Sequence, residues 1–349
     1  MRTRRLAIGG AFALALVAAL VAASVGSARS SATFRVAVVT DIGSIQDKGF
    51  NELANKGRLV VEKKWDNSPI PVDTRLFVTK TAADRLPNLQ AAAQQGYNLI
   101  FGVGFLMFEP LNVIAPAFPT RNFAGVDVTK FLLEANPENF TGIQFAEHEA
   151  GYLVGFLAGL QVKRQGGKQI ISAVGANNVP PILKFASGYV QGAKKANPQI
   201  KVLWNLANDP TFSDQAKCKE QALRQIAKGS QVVFQIAGQC GLGALSAAKE
   251  KKVWGIGVDA DQSFLGAHML TSALKKVDRA VIVLTGLARA GRLPQQTDVL
   301  FTVKNGGVGL GKISPRVNKA DIAKAKGAQR SIAFGKTKVK DLIKLKPVN

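Results

Sequence analysis

Polar and aromatic side chains that could bind a ligand follow the first apolar segment of the chain. A predicted strand at 34–40 ends at Asp41, and Phe50 and Asn51 follow shortly afterwards. In open α/β sheets, ligands bind beyond the carboxyl ends of the strands, where Asp41 would lie. Phe50 offers a flat apolar face, while Asp41 and Asn51 offer hydrogen bonds to a ligand's edge. The segment predicts a small-molecule site. An alternative explains the same residues without a ligand: Asp47 caps a helix, and Phe50 packs in the protein core.

Further candidates also lie where predicted strands end. Asp127 and Asp259 directly follow apolar stretches, Phe212 is a second aromatic after another strand, and Gly238 lies in a glycine-rich turn. Each aspartate taken singly could cap a helix. Their shared placement at strand ends favours a binding cleft instead. The glycine-rich turn lacks the GxGxxG spacing and the Walker lysine, so it does not indicate a nucleotide phosphate site.

Short apolar stretches alternate with longer helical patterns along most of the chain. Strands alternating with helices of this length predict βαβ units and parallel sheets. The alternation restarts after the stretch 141–145, and no proline- or serine-rich linker separates the two units. We therefore predict two α/β lobes that close over a cleft, with predicted strands at 34–40, 74–78, 99–103, 122–126, 141–145, 169–174, 200–204, 231–235 and 253–258 and helices at 50–64, 82–95, 107–117, 149–160, 181–196, 213–228 and 242–250.

The composition is that of a globular protein with a large excess of positive charge. The chain is 47% hydrophobic and 20% charged, and its 46 basic against 23 acidic residues give a net charge of +23. Such a charge attracts anionic surfaces. The basic residues are scattered and are not interleaved with aromatics, so nucleic acid is not an expected partner. We interpret the charge as a feature of solubility and of adhesion near the cell surface.

The first residues have the pattern of an export signal. Arg2, Arg4 and Arg5 precede an alanine-rich apolar run at 6–25, and small residues follow it. This pattern predicts a signal peptide over 1–32, which would place the remaining chain outside the cytoplasm. The run is also long enough for an uncleaved membrane anchor, which stays an alternative. No cysteine lies near the predicted cleavage site, so an anchor through an N-terminal lipidated cysteine is not expected.

The chain contains two cysteines, Cys218 and Cys240, and two histidines, His148 and His268. In an exported protein one cysteine pair predicts a disulfide rather than a metal site. A bond closing this short loop would contribute about 3 kcal/mol. Without CxxC or HExxH spacing, neither a catalytic metal nor another cofactor is expected.

The residues TDIGSIQDKGFNE at 40–52 resemble the signature of the basic membrane protein family, the substrate-binding proteins of nucleoside ABC importers. GVGFLMFEPL at 102–111, NDPTFSDQAKCKE at 208–220 and WGIGVDADQS at 254–263 resemble further blocks in the same order. The resemblance extends from Phe34 to about residue 328. It implies a type I periplasmic-binding-protein fold, with two Rossmann-like lobes and a ligand cleft at the hinge.

The resemblance also implies roles for individual residues in nucleoside binding. It implies that Phe50 and Phe212 sandwich a purine, since stacking tolerates different bases. Hydrogen bonds to the base edge would come from Asp41, Asn51 and Asp127, ribose hydroxyls would be held by Asp259 and Lys275, and Gly238 would let the backbone approach. The sequence departs from the family pattern at Gly49, where serine is frequent, and at Gln239, where a second glycine is usual.

We therefore expect a non-enzymatic extracellular protein that binds a purine nucleoside and delivers it to a separate permease and ATPase. The expected lobes are 33–140 with 263–303, and 141–262 with 304–349, with hinge crossings at 259–263 and after Phe301. A protein of the same fold for a sugar or signalling compound is the first alternative. An enzyme would need a histidine or activated nucleophile beside Asp41, which the sequence does not suggest. An adhesive surface protein would depend on salt rather than on the aromatics.

Overall fold

The computed structural model describes residues 33–342 and residue 345, which form two α/β lobes. The strands are β1 (Phe34–Val39), β2 (Val72–Phe77), β3 (Leu99–Val103), β4 (Asn122–Val126), β5 (Phe140–Phe145), β6 (Ile170–Gly175), β7 (Lys201–Leu206), β8 (Val232–Ile236), β9 (Trp254–Asp259), β10 (Met269–Lys275), β11 (Thr297–Phe301) and β12 (Val308–Leu310). The α-helices are α1 (Phe50–Trp65), α2 (Arg85–Gln94), α3 (Phe108–Ala117), α4 (Glu147–Gln165), α5 (Pro180–Ala196), α6 (Gln215–Ala227), α7 (Gly241–Glu250), α8 (Val277–Arg289) and α9 (Lys319–Ala333).

The two lobes have the same strand order. The first sheet runs β11-β5-β4-β3-β1-β2 and the second runs β12-β10-β9-β8-β6-β7. The strands pair in parallel throughout, except that β12 is antiparallel to β10. The direction of winding reverses between β1 and β3 in the first sheet and between β6 and β8 in the second. Sheets of this kind bind ligands at such a switch point. This architecture confirms the predicted fold class.

The nine predicted strands are all present, but the sequence analysis did not assign the strands and helices that follow residue 260. These missing elements are β10, β11, β12, α8 and α9. Strands β11 and β12 lie at sheet edges, and β11 is largely half-buried rather than continuously apolar. Edge strands of this kind carry a weaker hydrophobic pattern than central parallel strands.

Two strands lie in the lobe opposite to the expected one. Strand β5 pairs with β4 and belongs to the first lobe, although the second lobe was expected to begin at 141. Strand β10 pairs with β9 and belongs to the second lobe, although 263–303 was assigned to the first. Each of these strands pairs with the strand that precedes it in the chain, and a hydrophobic pattern locates a strand without reporting which sheet it joins. The expected boundaries at 140/141 and 262/263 are therefore corrected.

The chain crosses between the lobes at three places. It passes from β5 into α4, which packs on α5 of the second lobe, and from β10 into α8, which packs on α1 of the first. The third crossing joins β11 to β12, after Phe301 as expected. The segment 259–263, expected to be a hinge, connects β9 to β10 within the second lobe instead.

Helices α4 and α5 approach each other at glycines spaced four residues apart. A Cβ at Gly151, Gly155 or Gly159 of α4 would meet the backbone of α5. Gly188 and Gly192 of α5 face the backbone of α4 in the same way. Small residues at this spacing let two helix backbones come into direct contact. Helix α4 is buried along most of its length, which explains why its residues are apolar on nearly every side.

Replacing Gly155 with alanine should lower the free energy of unfolding by roughly 1–3 kcal/mol, because the added methyl group overpacks a rigid contact. The neighbouring atom is the carbonyl oxygen of Tyr189, which cannot turn away as a side chain could. Gly327 of α9 is the matched control, since a Cβ there meets no atom within 4 Å. Gly327→Ala should be neutral or stabilising by up to about 1 kcal/mol. Equal urea midpoints for the two variants would contradict the close-packing argument.

The predicted signal segment 1–32 lies outside the described residues. Within residues 33–342, no helix combines the length and the apolar character that crossing a membrane requires.

Candidate functional site

A cleft lies between the lobes, at the carboxyl ends of both sheets. It has about 750 Å³ of empty space, including solvent at its mouth. All eight predicted site residues line it: Asp41, Phe50, Asn51, Asp127, Phe212, Gly238, Asp259 and Lys275.

On the first lobe, Asp47 organises the start of helix α1. Its carboxylate accepts hydrogen bonds from the backbone N–H groups of Gly49 (2.8 Å), Asn51 (2.8 Å) and Glu52 (3.1 Å). Carboxylates at this end of a helix satisfy its unpaired N–H groups and interact favourably with its dipole. The capping interpretation therefore applies to Asp47. Phe50 is half-buried: it packs against the hydrophobic core and also lines the cleft.

Asn51 has one side-chain atom without a partner. Its Nδ2 donates to the carbonyl oxygen of Ile42 at 3.4 Å, whereas its buried Oδ1 has no hydrogen-bond partner within the described chain. A buried polar atom that the protein leaves unsatisfied is costly unless water or a ligand supplies the partner. Because Asn51 lines the cleft, its Oδ1 is positioned to accept a hydrogen bond from a ligand N–H group.

Asp41 is paired with Arg85, a residue that the sequence analysis did not identify. Arg85 Nε donates to Asp41 Oδ1 at 2.8 Å, and the backbone N–H of Ile42 donates to the same oxygen at 2.7 Å. Burial raises the pKa of Asp41, and the Arg85 guanidinium opposes this shift. Asp41 is therefore held in a fixed orientation, and its second oxygen is left for a ligand. No sequence motif indicated the partner, since Arg85 comes from a helix start in a different loop.

On the second lobe, a tight loop presents Phe212. Asp209 accepts hydrogen bonds from the backbone N–H groups of Thr211 (3.0 Å) and Asp214 (2.8 Å), which closes the loop. Phe212 adopts a left-handed backbone with φ of 56°. Such a conformation is strained for a bulky residue and concentrates at functional sites. The loop is thus built to project Phe212 into the cleft.

A disulfide joins Cys218 and Cys240, whose Cα atoms lie 5.6 Å apart. It links helix α6 to the start of α7, beside the glycine-rich turn. The N–H of Cys240 donates to the carbonyl oxygen of Phe212 at 2.9 Å. The disulfide and this hydrogen bond together hold the Phe212 loop against Gly238. The φ of Gly238 is 57°, a backbone conformation that requires the freedom of glycine.

A buried ionic cluster lies at the hinge. Lys275 Nζ, at the end of β10, lies 2.7 Å from Asp127 of the first lobe and 2.9 Å from Glu147 at the start of α4. All three side chains are almost fully buried. Burial alone would lower the pKa of Lys275, but the surrounding carboxylates raise it above its ordinary value. Burial raises the pKa of Glu147. The sequence analysis missed Glu147, which is separated from the end of β5 by Ala146 and is the first residue of α4.

Asp259 is the fourth member of this cluster. Burial raises the pKa of Asp259 to about 7, with Lys275 opposing the shift and Asp127 adding to it. Asp127 directly follows β4, and Asp259 is the last residue of the equivalent strand β9; both have left-handed backbones, with φ of 65° and 62°. The two lobes therefore place an aspartate at the same position beside the cleft.

Besides the contact between Lys275 and Asp127, two further hydrogen bonds join the lobes across the cleft. Gln239 Oε1 of the second lobe accepts from the backbone N–H of Ser44 at 3.3 Å. Gln262 Nε2 donates to the carbonyl oxygen of Lys48 at 3.0 Å. Gln239 is one of the departures from the family pattern, and it gives this chain a contact that glycine could not make. These bonds stabilise an arrangement in which the lobes lie close together.

The sequence analysis missed the apolar walls of the cleft. These residues come from the loop after β3 and from the start of α5, and include Phe105, Leu106, Val179, Pro181, Ile182 and Phe185. Apolar residues at such positions look like ordinary core residues in a sequence. Within residues 33–342, no group of three His, Cys, Asp or Glu side chains is arranged to hold a metal ion.

Comparison with known proteins identifies the family. The family model for ABC transporter substrate-binding proteins of the PnrA-like type (Bmp) matches residues 34–343. The chain belongs to this family. A nucleoside-binding protein of an ABC transporter from Lactococcus lactis, BmpA, is 34% identical, over 93% of this chain and 96% of its own length. An uncharacterized lipoprotein from Pyrococcus abyssi is 29% identical over 92% of this chain and 80% of its own length.

Solved structures share the architecture of this family member. A solute-binding protein of an ABC transporter system from Aeropyrum pernix superimposes with a TM-score of 0.77 and is 24% identical. The match covers 87% of this chain and 92% of the other. At this identity the likeness shows the fold alone, and it agrees with the two-lobed arrangement described above.

Proposed function

We propose that this substrate-binding protein binds a purine nucleoside between its lobes and delivers it to an ABC permease. The observation that carries the proposal is that Phe50 of one lobe and Phe212 of the other line the same cleft. Two aromatics on opposite lobes can stack on both faces of a base, and stacking contributes about 1–3 kcal/mol per base. The resemblance of the chain to the nucleoside-binding BmpA supports the same ligand class.

The polar groups of the cleft suit an uncharged ligand. Asn51 Oδ1 and the free oxygen of Asp41 are acceptors for N–H groups of a base edge, and Asp259 is an acceptor for ribose hydroxyls. Among the lining residues, Lys275 is the one cation, and its charge is already matched by carboxylates. A nucleotide would bring phosphate into a site with no free positive charge, so nucleotides should bind poorly.

Delivery requires partners and a location that this chain does not provide by itself. Membership of the family implies a small-molecule ligand and a separate ABC permease with its ATPase. We place the protein outside the cytoplasm, as a non-enzymatic carrier. The segment expected to direct export, 1–32, lies outside the described residues, and so does any N-terminal anchor. The relative from Pyrococcus abyssi is named a lipoprotein, which differs from the expectation of no lipid anchor here.

Purine nucleosides should raise the melting temperature of the protein, because a ligand that binds only the folded state stabilises it. Phe50→Ala and Phe212→Ala should each weaken binding by about 1–3 kcal/mol in titration calorimetry, through lost stacking. Phe131→Ala and Phe264→Ala are matched controls, since these side chains are 82% and 61% exposed and do not line the cleft. They should bind as the unmodified protein does. Stabilisation by sugars and by no nucleoside would instead favour a sugar-binding protein of the same fold.

A further inference from the structure

A second cavity lies in the second lobe, at the end of the sheet opposite to the cleft. It has about 800 Å³ of empty space, including open solvent, and its lining includes Lys249, Lys252, Trp254, His268 and Arg316. Trp254 is the first residue of β9 and Asp259 is the last. With a rise of about 3.3 Å per residue, the two sites are separated by roughly 16 Å along this strand. The cavity is therefore distinct from the nucleoside cleft.

The lining of this cavity is positively charged and contains no acidic residue. Within the described part of the chain, Lys249, Lys252 and Arg316 form no ion pair, although neighbouring lysines do pair with Glu250. The Arg316 guanidinium lies 4.7 Å from the centre of the Trp254 ring, and its Nη1 donates to the carbonyl oxygen of Ala267 at 3.2 Å. Arg316 is thus held in place by stacking and by a hydrogen bond, while its charge stays unmatched.

His268 gives a second, independent sign of a missing ligand. Its Nε2 is buried and has no hydrogen-bond partner within the described chain. Such orphaned polar atoms are rare and require an explanation. Burial lowers the pKa of His268, and the charge of Lys249 lowers it further. The imidazole is therefore neutral at neutral pH, and a tautomer with the proton on Nε2 can donate to an oxyanion.

We propose that this cavity binds a phosphate group. Two lysines, an arginine and a histidine line one cavity without a carboxylate, and tetrahedral oxyanions are the ligands that such donors hold best. The phosphate could be free inorganic phosphate or the phosphodiester of a lipid headgroup, since both present the same oxygens. The proposal does not depend on the ligand of the cleft.

Proton NMR of the two histidines tests the site directly. Inorganic phosphate, titrated at constant ionic strength with chloride as the balancing anion, should shift the His268 resonances saturably. The pKa of His268 should rise, because a bound anion favours the imidazolium. His148, which lies 3.0 Å from Asp341, serves as the internal reference and should not move. Shifts that are absent, or that never saturate, would overturn the proposal.

Arg316→Gln and Lys252→Gln should each weaken phosphate binding at least about tenfold, since each removes a charge-assisted hydrogen bond. Lys251→Gln is the matched control, because Lys251 pairs with Glu250 and does not line the cavity. It should leave the affinity unchanged. Melting temperatures and nucleoside binding report whether each variant is folded. Folded Arg316 and Lys252 variants that bind phosphate normally would contradict the assignment.

Vesicles distinguish the two sources of phosphate. Sedimentation with phosphatidylglycerol vesicles, lost in Arg316→Gln and competed by inorganic phosphate, would identify a lipid headgroup. Binding of free phosphate without vesicle binding would identify a small anion. Vesicle binding that Arg316→Gln leaves intact would show that the overall charge of +23 is responsible and that the cavity is not the lipid site.

Discussion

Replacing Lys275 with methionine should lower the free energy of unfolding by about 3–5 kcal/mol, the usual cost of leaving a buried charge without its partner. Lys275 is the counterion for Asp127 and Glu147, which are nearly as buried as it is. Methionine keeps the length and the apolar stem of the side chain. The loss of stability therefore measures the removal of the charge rather than the creation of a cavity. Lys276→Met is the matched control, because Lys276 is less buried and forms no ion pair within the described chain.

The loss of folding stability in Lys275→Met should grow as the pH rises. Without Lys275, Glu147 and Asp259 lose the charge that opposes the upward shift of their pKa values, so these pKa values rise further in the folded state. The folded variant then binds protons that the unfolded chain releases, so its stability falls as pH rises through this window. Urea unfolding at about pH 5 and about pH 8 should therefore show the larger difference from the unmodified protein at the higher pH. A loss of less than about 1 kcal/mol at both values would show that the cluster does not stabilise the hinge.

Nucleoside affinity should fall as the pH drops below about 7, the pKa to which burial raises Asp259. A ligand hydroxyl that donates to Asp259 needs the ionised carboxylate, and below this pKa the proton competes with it. Each pH unit should weaken binding by up to about tenfold, and above pH 7 the affinity should be constant. Asp259→Asn should bind more weakly at high pH and lose the dependence, because it cannot ionise.

Asp259 should affect the stability of the unliganded protein in the opposite direction, so that stability falls as the pH rises. Asp259 keeps its proton in the folded state up to about pH 7, whereas in the unfolded chain its pKa is the ordinary value of 3.8. The contribution of Asp259 to stability therefore falls as the pH rises from about 4 to about 7, and Asp259→Asn removes this slope.

Calorimetry between about pH 5.5 and about pH 8.5, in buffers of different ionisation enthalpy, measures both the affinity and the protons released. Asp261→Asn is the control, because Asp261 is exposed and lies outside the cluster. If the affinity of the unmodified protein does not change over this range, Asp259 does not accept from the ligand as a carboxylate. If affinity changes equally in Asp259→Asn, another group of the cluster is responsible.

The sequence predicted the positions of residues that line the cleft better than it predicted the partners of those residues. Strand-end aspartates and the two phenylalanines could be identified because central parallel strands are continuously apolar, and the residue after each strand is therefore easy to locate. The partners Arg85 and Glu147 come from elements that meet the aspartates only in the folded protein. Their side chains look like ordinary charged residues at helix starts until the fold brings them together.

What the sequence by itself determined is the local structure: the strands up to β9, the α/β class and the residues that end those strands. These follow from hydrophobic periodicity, which acts over neighbouring residues. Only the tertiary structure decided which lobe β5 and β10 join and where the chain crosses. It also decided that Lys275, expected to hold a ribose, is neutralised by Asp127 and Glu147. The buried ion pairs join residues more than a hundred positions apart, and a local pattern records neither such a contact nor the sheet that a strand joins.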